Sequence, residues 1–117
     1  MQPSVSVEAR VDDGVRVYAI KIGTPSFEVN VDVPHGDAPR LKKVSNSPWL
    51  SGALRIGTSA GAPAWWCVAG QDEEIKGLSI LVGHDDQTWD IALQLPLETI
   101  DAVVHEVDVC ARQQGDA

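Results

Sequence analysis

Ser4-Val5-Ser6-Val7-Glu8-Ala9-Arg10-Val11, then Asp12-Asp13-Gly14, then Val15-Arg16-Val17-Tyr18-Ala19-Ile20-Lys21-Ile22 is the stretch on which the fold reading turns. Val5, Val7, Ala9 and Val11 alternate with Ser4, Ser6, Glu8 and Arg10, the period-two pattern of a half-buried strand. Asp-Gly suits the centre of a tight hairpin because both residues tolerate positive φ. The returning segment is more uniformly apolar, as expected of a strand inside a sheet. Gly23-Thr24-Pro25 punctuates it. Phe27, Val29, Val31 and Val33 then alternate with Glu28, Asn30 and Asp32 in a third strand.

Outward from this opening, residues 34–52 contain three prolines, two glycines and three serines and keep no sustained period, which predicts a long surface connection. Connections of that length tend to be functional or to hide a short element. It holds a basic cluster, Arg40, Lys42 and Lys43. Strands are expected at 53–58, 64–69 and about 75–82, with Gly77 as a bulge. After the polar turn His84-Asp85-Asp86-Gln87-Thr88, Trp89, Ile91, Leu93 and Leu95 alternate with Asp90, Ala92 and Gln94 in a last strand. Pro96 suits the first turn of a helix. Leu97, Ile100, Val103, Val104, Val107 and Ala111 recur at spacings of three and four, predicting a helix over about 97–112 with Ile100, Val104 and Val107 buried beneath it. The valines weaken helix propensity there, but the reach of the stripe favours helix over strand. Residues 113–117 read as a frayed tail. The expectation is one α+β domain over 1–117, with its strands within 4–95. They form an antiparallel, meander-like sheet of six to seven strands with a C-terminal helix packed on one face.

A chain of 117 residues has room for one hydrophobic core. At 44% hydrophobic and 22% charged residues it has the composition of a globular protein. The N-terminus lacks a basic segment followed by an apolar run, and no stretch approaches 18 consecutive apolar residues. The expected location is therefore the cytoplasm, with no membrane partner. Cys67 and Cys110 are too few for a disulfide framework and read as reduced thiols.

Charge is unevenly placed. Residues 1–60 carry seven Lys and Arg against six Asp and Glu, whereas residues 61–117 carry two against eleven. An acidic field of this kind repels nucleic acid and attracts basic partners. In size and charge the chain resembles the immunity proteins that bacteria pair with secreted toxins. That resemblance implies a non-enzymatic inhibitor docking on a basic protein, such as a toxin with a cationic active site. The expected contact residues are Asp72, Glu73 and Glu74 in one turn, Asp85 and Asp86 in the next, and Glu98, Asp101 and Asp108 on the helix. To these are added Trp65 or Trp66, which must face opposite sides of a strand, so that one of them lies on the outer face. Trp49, after Pro48, is another candidate for exposure, and exposed tryptophan is enriched at binding hot spots. The alternatives are a small-ligand or carbohydrate-binding β domain, or a subunit of a larger assembly.

Gly57-Thr58-Ser59-Ala60-Gly61 matches the G-x-S-x-G nucleophile elbow, with Asp85 and His105 following in the order used by α/β-hydrolases. An elbow requires a helix directly after the serine, whereas Ala62-Pro63-Ala64-Trp65 leads into another strand. A glycine-rich hairpin turn is the expected reading, and no catalytic residue is assigned. Each histidine has an acid nearby, with His84 and Asp86 the best core for a metal site. No His-x₃-His or Cys-x₂-Cys spacing joins ligands, so neither metal nor cofactor is expected.

Overall fold

Residues 3–70 and 76–115 are described by a computed structural model of the chain. Among them, seven strands form one antiparallel sheet in sequential order: β1 (Ser4–Asp12), β2 (Val15–Gly23), β3 (Glu28–Pro34), β4 (Leu54–Ser59), β5 (Ala62–Ala69), β6 (Gly77–Gly83) and β7 (Trp89–Pro96). One α-helix follows, α1 (Thr99–Gly115). The architecture is the α+β meander with a C-terminal helix that the alternation predicts.

The β1–β2 hairpin closes on Asp13 (φ 52°) and Gly14 (φ 82°), both left-handed, which matches the strand twist. Ala60 (φ 52°) and Gly61 (φ 82°) do the same between β4 and β5. Ser59 therefore ends a strand at a two-residue turn and is followed by another strand. Gly77 is not a bulge: it pairs regularly with Pro96, and a Cβ there would sit 2.8 Å from the Leu95 carbonyl oxygen. The irregularities fall instead between Arg55 and Thr58 and between Val82 and Gly83.

Residues 34–52 are not an unstructured connection. His35–Asn46 folds as successive 3₁₀ turns and Trp49–Ser51 as one more. Ala38, Leu41 and Val44 recur every third residue, which places them on one edge of a three-residue-per-turn helix. Leu41 and Val44 are fully buried and Ala38 packs against the same core. The first 3₁₀ segment and α1 lie together on the inner face of the sheet, over Tyr18, Ile20 and Ile22 of β2, Val31 and Val33 of β3, Ile56 of β4, Trp66 of β5 and Ile80 of β6. Two polar groups inside this layer are satisfied. The Trp66 Nε1–H donates to the Ile56 carbonyl at 2.9 Å, and the Tyr18 hydroxyl is 2.8 Å from His35 Nδ1.

α1 begins two residues later than the apolar stripe suggests, because Pro96 is still paired in β7. It runs on to Gly115, so residues 113–115 of the expected tail are helical, and residues 116–117 lie outside the described residues. Its buried apolar residues are Ile100, Val103, Val107 and Cys110, whereas Val104 is only half-buried. The axis of burial is thus rotated toward Val103.

Candidate functional site

Period-two alternation gives each strand a second face, and on β5–β7 that outer face is neither bare nor uniformly polar. Cys67, Ser79 and Leu81 point there and are all buried, outside the main core cluster. What covers them is aromatic. Pro48 bridges to Val68 beside β5, and Ser47 accepts a backbone bond from Val68 at 2.9 Å, which carries the following 3₁₀ turn past the end of β4. Trp49 is thereby laid over the outer face, where its ring meets that of Trp89 edge to face, with centroids 5.6 Å apart and planes at 89°. Trp65, the outward member of the Trp pair, is half-buried beside them and donates its Nε1–H to the Gly83 carbonyl at 3.2 Å. Trp66 is the inward member; wholly buried, it cannot contact a partner.

These side chains enclose a cup of about 260 Å³, floored by Cys67, Ser79 and Leu81, walled by Trp49 and Trp89, and edged by Gln94. The Ser79 hydroxyl is buried with no hydrogen-bond partner. An adjoining open groove of about 830 Å³ runs past Pro48 and Leu50 toward Lys76. Leu50 stands 97% exposed on this rim and Trp89 39%. A fully exposed leucine next to two partly exposed indoles is an apolar patch of the kind that marks interaction surfaces.

Asp86 holds the wall in place. Its Oδ2 accepts the Ala53 N–H at 3.2 Å, tying the β6–β7 turn to the chain just after Trp49–Ser51. The Cys67 thiol is held above its usual pKa by burial and, secondarily, by the negative charge of Asp86. Asp85 accepts from the Gln87 N–H (2.8 Å), the Thr88 N–H (2.7 Å) and the Thr88 hydroxyl (2.9 Å), which lowers its pKa. The acids of this turn thus shape the turn itself.

Among the described residues, the other expected contact residues do not line this cup. Asp72, Glu73 and Glu74 lie outside the described residues. Asp101 and Asp108 line a shallow cleft between α1 and the first 3₁₀ segment on the inner-face side, where Lys42 approaches Asp108 at 3.6 Å. Glu98 is exposed just before α1. Asp86 therefore lies toward the outer face and Asp101 and Asp108 on the inner-face side, where Lys42 partly offsets the helix charge.

A second cleft, about 460 Å³, opens where β3 and β4 share a single residue pair, Asp32 with Thr58. Arg10 reaches across β2 to clamp Asp32 through both terminal guanidinium nitrogens (3.1 and 2.8 Å) and donates from Nε to Asp12 at 3.0 Å. Those hydrogen bonds, that to Asp32 above all, raise the pKa of Arg10 further. Arg40 donates to the Arg55 carbonyl. Three arginines and three aspartates line this cleft and balance one another, so it is an internal clip with no excess charge for a ligand.

Among the described residues no three His, Cys, Asp or Glu side chains converge as a metal would require, His84 and Asp86 included. Nor is any described helix long and apolar enough to cross a membrane.

Leu50, Ser79 and Trp89 carry no local sequence signal for this site. Simple alternation places Trp89 on the face of Ile91, Leu93 and Leu95. The irregularity between Val82 and Gly83 inserts one residue in β7 and turns Trp89 to the face of Ala92 and Gln94 instead. Gly83 was the available signal: a Cβ there would overlap the backbone of Trp89. Comparison with protein-family models, curated proteins and solved structures gave no match.

Proposed function

We propose that this chain is a non-enzymatic protein-binding domain, an inhibitor or immunity-type protein, that docks on a basic protein partner through the outer face of β5–β7. The observation that carries this reading is the apolar rim formed by Trp49, Leu50 and Trp89 on a chain of net charge −8. Large, stiff aromatic side chains bury area on binding with little entropy loss, so a few of them can supply most of an interface's affinity. The acidic field adds long-range steering toward a cationic surface, such as the active site of a toxin that acts on nucleic acid. This reading moves the weight of recognition from the dispersed acids to the aromatic rim, with charge acting on the rate of encounter.

Leu50→Asp tests it cleanly, because Leu50 is almost fully solvated and its replacement leaves the core untouched. Wild-type and Leu50→Asp proteins would each be used to capture partners from the native cell, and the captured protein's kinetics measured at two salt concentrations. The expected result is a basic partner held by the wild type, released at least about tenfold faster by the variant, and associating more slowly as salt rises. Equal retention by both proteins, or a partner that is acidic or indifferent to salt, overturns the reading.

A further inference from the structure

We propose that the corner between Trp49 and Trp89 receives one cationic side chain, a lysine or an arginine, of the basic partner; this rests on the docking reading above and assigns the cup a specific occupant. Three independent features converge there. The two indole rings meet edge to face at 89° and both line the cup, forming a right-angled aromatic corner, and the face of an indole attracts a cation through its quadrupole. The floor carries an unused polar group: Ser79 lines the cup, is 2% exposed, and its buried hydroxyl makes no hydrogen bond. A buried hydroxyl without a partner is costly, and an incoming N–H would satisfy it. The electrostatics have the right sign as well. Asp86 is anchored on Ala53, and its charge reaches the Cys67 thiol, which shares the floor with Ser79. Lys76 lines the neighbouring groove and not the cup.

The size agrees with this occupant. A cavity of about 260 Å³ takes an alkyl stem with its head group and is small for a drug-sized ligand, which typically needs ~300 Å³ or more. Gln94 places a further polar side chain at the edge of the cup. A neutral aliphatic side chain would fill the same volume but leave Ser79 unsatisfied and gain nothing from Asp86. The cup should therefore discriminate by charge and not by shape alone.

The test uses the folded chain and matched probes, Nα-acetyl-lysine methylamide and Nα-acetyl-norleucine methylamide, whose side chains differ only by the terminal amine. The indole N–H signals of all four tryptophans are followed by NMR. The lysine probe should shift the Trp49 and Trp89 signals saturably and leave Trp66, bonded to Ile56, unmoved. The norleucine probe should bind about fivefold or more weakly. Ser79→Ala should weaken the lysine probe several-fold and leave the norleucine probe unchanged. Trp89→Leu, at a partly exposed position, should abolish the difference between the probes with the remaining spectrum intact. Equal affinity for the two probes, or no saturable shift at Trp49 and Trp89, overturns the inference. The two readings fail separately. Loss of the captured partner in Leu50→Asp without lysine selectivity in the cup leaves docking standing and removes the cationic occupant. Lysine selectivity with undiminished partner capture by Leu50→Asp removes docking and leaves an organic-cation site.

Discussion

Val103 and Val104 are adjacent in α1, chemically identical, and differ in what surrounds them, so replacing each by alanine isolates the burial term. Each substitution removes two methyl-sized groups, which is ~1.6 kcal/mol of transfer free energy when the side chain is fully enclosed. Val103 is fully buried among the core residues under the sheet, so the space left behind is closed and adds about 1 kcal/mol. Alanine returns ~0.5 kcal/mol as the better helix former. The net expectation for Val103→Ala is a loss of about 2 kcal/mol. At Val104, half-buried at the edge of the cleft facing the first 3₁₀ segment, about half of the transfer term applies and no closed cavity forms. After the same ~0.5 kcal/mol is returned, Val104→Ala should fall within about 0.5 kcal/mol of wild type. Urea unfolding of the three proteins, read by circular dichroism with equal m-values, measures both changes. In a thermal scan the Val103 variant should melt roughly 6–12 °C lower, given a few degrees per kcal/mol at this chain length. Equal losses at the two positions, or a greater loss at Val104, would refute the assigned rotation of α1 about its axis.

Two further expectations follow from the turns and the sheet. The Asp85 pKa is depressed in the fold by hydrogen bonds that its ionised form accepts. Their contribution to stability is therefore complete above the unfolded value, about 3.9, and is lost as pH falls through the lower folded value. An NMR titration should place the Asp85 midpoint below the ordinary aspartate range, and Asp85→Asn should flatten the acid limb of stability in that window; an ordinary midpoint would contradict the bonding in this turn. Gly57 sits at φ 75° with the Asp32 carbonyl where its Cβ would be. Gly57→Ala should cost at least about 2 kcal/mol in urea unfolding and speed amide exchange at the β3–β4 join, because left-handed strain and a backbone overlap add there; a change under ~0.5 kcal/mol would show that the join is not tight.

Where sequence and structure agree, the controlling interactions are local or strictly periodic. Val5 to Val11, Val29 to Val33 and the Asp13-Gly14 turn declare strand, face and hairpin through side-chain alternation and positive φ alone, and these neighbouring strands pair in order. The helix declares itself through spacing at three and four. Pro96 suits a first helical turn by its fixed φ, yet its backbone is held in β7 by pairing with Gly77, a contact about twenty residues away that no local pattern encodes. The 3₁₀ segment was legible in principle, since Ala38, Leu41 and Val44 keep a period of three, but a window tuned to periods of 2 and 3.6 passes over it.

The candidate site was legible only as ingredients. Residue order establishes that Trp65 and Trp66 take opposite faces and that the C-terminal half is acidic. It does not establish that Trp66 is the inward one, because that depends on the register of β4 against β5, where Leu54 pairs with Trp66. Nor does it bring Trp49 to Trp89, forty residues apart, since their meeting requires the chain after Ser47 to cross beside β5 and one extra residue in β7 to reverse the face of Trp89. Acidic content is additive along a chain and survives any folding. Which acids share a face is a property of the sheet and its coverings, and here Asp86 lies with the aromatic cup while Asp101 and Asp108 lie beyond the other face, next to Lys42. Composition and periodicity thus decided the class of fold and the sign of the field, because both are sums over nearest neighbours. Tertiary pairing alone decided the recess and what it excludes, because a single-residue register shift moves a side chain from one side of the sheet to the other.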